Sequence, residues 1–74
     1  MKQKITDIIN KILNEKNIKM KIEENTSLIK SGLFSSMDMF YAILCIEQLG
    51  YNIIKIEVDK MDNLKDIFNY LGVK

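Results

Sequence analysis

The sequence has no histidine, no arginine and no tryptophan, and it has a single cysteine. Each absence removes a class of function. Without histidine, and with Cys45 alone, the usual ligands of a structural zinc site are missing. A nucleophilic thiol would have no imidazole to activate it, so Cys45 reads as an inert thiol buried in a helix. One cysteine cannot close an internal disulfide. Without arginine the chain lacks the preferred bidentate reader of phosphate and guanine, and a net charge of +1 draws it little toward nucleic acid. No apolar run reaches the length of about 18 residues that marks a membrane span. The start, Met1-Lys2-Gln3-Lys4, leads into an interrupted apolar pattern without the continuous core of a signal peptide. There is no proline-rich linker. These absences lead us to expect a discrete, monomeric, cytoplasmic protein.

What is present is ordinary globular material. Apolar residues make up 47% and charged residues 28%, which excludes a disordered chain. With 74 residues the chain has room for one domain, 1–74, and one core. A deep catalytic cleft is hard to wall at this size. A binding, carrying or regulatory module is therefore favoured over a self-contained enzyme. Charge is unevenly spread: residues 1–22 carry six lysines against Asp7 and Glu15, net +4, whereas residues 23–74 carry net −3. An acidic docking surface, if there is one, belongs to the second part.

Periodicity gives the elements. Ile5, Ile8, Ile9, Ile12 and Leu13 recur at helical spacing and predict a first helix over about 2–16. Residues 17–34 read as a long loop pinning Ile22, Leu28, Ile29 and Leu33 onto the core, and loops of that length are often functional. Ser35 is a good N-cap, with Asp38 at the third position where glutamate or glutamine is usual. The next helix then begins at Ser36, runs to about Leu49 and is closed by Gly50. Residues 51–62 are ambiguous. Ile54, Ile56 and Val58 alternate like a strand, and bare propensity favours one; its single possible partner, residues 18–22, is weak. A short helix near 55–60 is the alternative. Asn63 caps a final helix carrying the stripe Leu64, Ile67, Phe68 and Leu71, ended by Gly72.

The helix after Ser36 is unusual. On a wheel of about 100° per residue, Met39, Ala42, Ile43, Ile46 and Leu49 form a core face. Ser36, Glu47 and Gln48 lie on the opposite arc, but Met37, Phe40, Tyr41 and Leu44 lie there too. Either this helix is central and covered on both sides, or it carries an exposed apolar patch for a partner or a small-molecule chain. Ser36 itself sits where the free N–H groups and dipole of a helix start favour an attached phosphate, although serine is also simply a good first-turn residue.

The segment Ser27-Leu28-Ile29-Lys30-Ser31-Gly32-Leu33-Phe34-Ser35-Ser36-Met37 resembles the modification-site segment of acyl carrier proteins and their peptidyl and D-alanyl carrier relatives. Downstream, Ile46-Glu47-Gln48-Leu49-Gly50-Tyr51-Asn52-Ile53 and Met61-Asp62-Asn63-Leu64-Lys65-Asp66-Ile67 are similar to that family's later segments, in consistent register over nearly all the chain. The resemblance implies an all-α fold, a small four-helix bundle of acyl-carrier type. It has three main helices, a short third helix within 51–62 and a long loop between helices 1 and 2. It implies that Ser36 carries a covalent 4′-phosphopantetheine arm, installed from coenzyme A by a phosphopantetheinyl transferase. The thiol of the arm would hold acyl or aminoacyl cargo as a thioester for loading and biosynthetic enzymes. The carrier itself catalyses nothing and needs no metal ligand of its own. The second helix would be the docking element, offering Met37, Asp38, Phe40, Tyr41, Leu44 and Glu47. The chain departs from the family in three ways: Ser35 replaces the usual aspartate before the modified serine, net charge is near neutral, and Tyr41 stands where acidic residues are common. An unmodified, carrier-like interaction module is the alternative that Ser35 keeps open. Fatty acids, polyketide units, amino acids and D-alanine all remain possible cargo.

Overall fold

The structure, a computed structural model, describes residues 2–51, 53 and 58–73. Among these residues the fold is all-helical, without strands: α1 (Lys2–Glu15), α2 (Ser36–Glu47), a single 3-10 turn (Val58–Lys60) and α3 (Leu64–Leu71). Residues 18–22 form no strand. Residues 54–57, which hold most of the expected strand and the start of the alternative short helix, lie outside the described residues; the 3-10 turn begins directly after them.

α1 buries Ile5, Ile9, Ile12 and Leu13, the stripe its spacing predicts, and packs against α2. It ends one residue sooner than predicted, because Asn17 takes a left-handed φ of +63°. The Asn17 N–H then donates to Asn14 O (2.9 Å) and the Ile18 N–H to Leu13 O (2.9 Å). This is a Schellman closure, with asparagine in place of glycine and Ile18 folded back on the core. α3 ends in the same way: Gly72 has a φ of +72°, and the Val73 N–H reaches Phe68 O at 2.9 Å.

α2 stops at Glu47 rather than about Leu49. Its last turn tightens into i→i−3 bonds, from Leu49 N–H to Ile46 O and from Gly50 N–H to Glu47 O, before Gly50 turns at a φ of +108°. Met39, Ala42, Ile43 and Ile46 are fully buried, while Leu49 is only half-buried at the margin.

The long loop is anchored from a distance. The Asp62 carboxylate accepts the N–H groups of Ile29 and Lys30, both at 2.9 Å. The Asp62 carbonyl accepts the Leu28 N–H at 2.6 Å, and Lys65 in the first turn of α3 donates its N–H to Glu24 O at 2.9 Å. Those bonds hold Leu28 and Ile22 in the core, with Ile29 and Leu33 half-buried; Phe34 is buried as well, a residue that periodicity does not single out. The two N–H groups on its carboxylate, that of Lys30 foremost, hold Asp62 below the usual carboxylate pKa.

Candidate functional site

The start of α2 is built by Ser35. Its backbone is extended, its Oγ accepts the Asp38 N–H at 3.1 Å, and its own N–H donates to Asp38 Oδ2 at 2.9 Å. Both bonds of a capping box are therefore made, with the shorter aspartate doing what glutamate usually does. The Ser35 hydroxyl is turned in toward the helix end. Ser36, the first residue of α2, is exposed, and among the described residues no group takes a hydrogen bond from its hydroxyl. Two adjacent serines thus have different surroundings: one is occupied as a cap and the other is open to solvent beside the unpaired N–H groups of a helix start.

Around Ser36 lies an exposed apolar band. Met37 is 73% exposed and Tyr41 53%; Phe40 and Leu44 are each 39% exposed. Glu47 is exposed farther along the helix. Covering by the loop or by α3 does not account for these side chains, so α2 shows apolar groups to solvent as well as to the core.

Asp38 stands apart from the band. Its Oδ2 also accepts the Lys16 ammonium at 2.6 Å, so its carboxylate is turned back toward the end of α1. The Lys16 bond, with the Ser35 N–H next, holds Asp38 below the usual carboxylate pKa. Lys16 also donates to Leu33 O at 2.9 Å and stands 6.0 Å from the centre of the Phe34 ring. Sequence reasoning missed Lys16 entirely. Its one visible signal was a cation at the C-terminal end of the predicted helix, where the dipole favours it.

Cys45 corrects an expectation. It is half-buried rather than buried. It lines a groove of about 320 Å³ between α1 and α2, with Ile8, Ile12, Tyr41, Gln48 and Leu49. Position explains the difference: Cys45 lies between the core face and the exposed band, at the seam with α1. The neighbouring Cys45 group, then the negative charge of Glu15, push the Tyr41 phenol above its ordinary pKa.

Among the described residues no group of three or more acidic, cysteine or histidine side chains is arranged to hold a metal ion, and no helix is long and apolar enough to cross a membrane. Comparison with protein-family models, with curated proteins and with solved structures yields no match.

Proposed function

We propose that this chain is a carrier of the acyl-carrier type, bearing 4′-phosphopantetheine on Ser36. The single observation that carries the reading is the division of labour at the start of α2, where Ser35 caps and Ser36 stays open beside an exposed apolar band. In the transfer, Ser36 Oγ forms a bond to the phosphorus that bears pantetheine as the pyrophosphate bond of coenzyme A breaks. The adenosine bisphosphate portion leaves, and the hydroxyl proton passes to a base on the transferase. The new phosphodiester then sits beside the free N–H groups and the positive dipole end of α2. The thiol of the arm carries acyl or aminoacyl cargo as a thioester to loading and biosynthetic enzymes, which supply the catalytic groups.

Supporting features include the long anchored loop and the 3-10 turn at Val58–Lys60, which we read as the short third helix of a four-helix carrier bundle. The docking face on this reading is Met37, Phe40, Tyr41 and Leu44, with Glu47 as its acidic member. Asp38 serves chiefly to hold the helix start. The reading puts the protein in the cytoplasm as a monomer.

Incubation with a phosphopantetheinyl transferase and coenzyme A, followed by intact-mass measurement and peptide mapping, tests the proposal. The chain should gain the mass of one arm, mapped to Ser36. Ser36→Ala should remain folded and gain nothing. Ser35→Ala should lose about 0.5–2 kcal/mol of stability, the usual cost of a lost cap, and still accept the arm. An arm on Ser35, or full loading of Ser36→Ala, overturns the assignment. A wild-type chain that is never loaded favours the second reading, an unmodified interaction module, for which Ser35 in place of the family's aspartate is the specific sign.

A further inference from the structure

We propose that Lys16 is a positioning residue for Ser36, locking the start of α2 into the conformation that the transferase must meet; this inference rests on the carrier reading. The Lys16 ammonium holds two groups on either side of the modification site: Leu33 O, two residues before the cap, at 2.9 Å, and Asp38 Oδ2, inside the first turn, at 2.6 Å. The same Asp38 oxygen takes the Ser35 N–H at 2.9 Å. One cation thus ties the incoming loop, the cap and the first helical turn into a single unit, and Ser36 is the residue between the cap and that turn.

Position favours this role. The left-handed Asn17 ends α1 at Glu15, so Lys16 emerges at the negative end of one helix dipole. Asp38 stands in the first turn of α2, at the positive end of the other. Each charge suits its own helix end, and the pair bridges elements that are 22 residues apart in sequence. Lys16 and Asp38 keep 35% and 26% of their side-chain surface in water, so the pair contributes little to global stability. Its effect is local. Without it, Leu33 O loses this partner and the cap opens more often, while the rest of the core is untouched. A transferase that binds the closed form alone then sees a smaller competent fraction, which appears as a higher KM for the carrier at nearly unchanged kcat.

The test measures transferase kinetics with the full-length chain and coenzyme A. Lys16→Met should raise KM, by at most the about fivefold that a half-exposed ion pair supports, and should raise the Asp38 pKa read by NMR. Lys16→Arg, which keeps the charge, should restore most of both. Combining Lys16→Met with Asp38→Asn should cost no more than the larger single effect, because the two act as a pair. Gly72→Ala provides the control for a merely structural effect, since it strains the far end of α3 and should leave KM alone. An unchanged KM in Lys16→Met, in a wild-type chain that is loaded, overturns the positioning role and leaves the carrier reading standing. An equal rise in KM for Gly72→Ala, or failure of Lys16→Arg to restore, also overturns it. A wild-type chain that accepts no arm overturns both.

Discussion

At the scale of single residues, two carboxylates fix backbone geometry. Asp38 is held below its ordinary pKa by Lys16 and by the Ser35 N–H, and Asp62 by the N–H groups of Lys30 and Ile29. A carboxylate depressed in the folded state contributes stability that is fully present above its unfolded pKa of about 3.9 and is lost as pH falls through the lower folded value. The amides of Ser35, Ile29 and Lys30 should therefore keep their chemical shifts down to about pH 4 and move below it, Ser35 with Asp38 and the other two with Asp62. Asp38→Asn should abolish the movement at Ser35 and leave the other two. A Ser35 amide that titrates near neutral pH would contradict the hydrogen bonding described. The sequence foretold the Ser35 cap and the open Ser36, because capping is written within four residues. It did not foretell Lys16, whose partners lie 17 and 22 residues away. The family resemblance offers Asp38 as a docking residue, and a resemblance in sequence carries no information about what the end of another helix presents to it.

Among the described residues three α-helices were legible: α1 and α3 from a buried stripe at i, i+3, i+4 spacing, and α2, apolar nearly all round, from its Ser35 cap and the Gly50 stop. Helix ends were less legible. α2 closes early because its last turn tightens, and α1 ends at an asparagine whose left-handed conformation nothing in its neighbours announces. The α3 start was clear: Asn63 Oδ1 accepts the Asp66 N–H at 2.8 Å, while the Asp66 carboxylate reaches back to the Asp62 N–H at 2.8 Å. Asn63→Ala should lower unfolding free energy by about 0.5–2 kcal/mol, measured by urea denaturation. A change within error would mean that the Asp66–Asp62 bond holds the helix start unaided. The loop was legible as a loop, but its anchor was not, since Asp62 is 33 residues from Ile29.

For the molecule as a whole, α2 divides its apolar residues between two tasks, and neighbouring substitutions should separate them. Ile43 is fully buried, so Ile43→Ala should cost about 2–5 kcal/mol. Tyr41 is 53% exposed, so Tyr41→Ser should change stability by no more than about 0.5 kcal/mol while slowing partner turnover. A large loss of stability for Tyr41→Ser in the same urea experiment would identify a structural aromatic and remove Tyr41 from the docking face. The long-range bonds of Asp62 have one more consequence, for the order in which the native state comes apart. The Leu28 amide donates to the Asp62 carbonyl, and the Lys65 amide donates to Glu24 O. Peeling the long loop away therefore breaks bonds to the segment that starts α3, which ties its opening to that of α3, although exposed loops ordinarily open by themselves. In native-state hydrogen exchange, the Leu28 amide should exchange only as slowly as the whole domain unfolds, in step with the core amides of α2, so that this loop residue reports global opening.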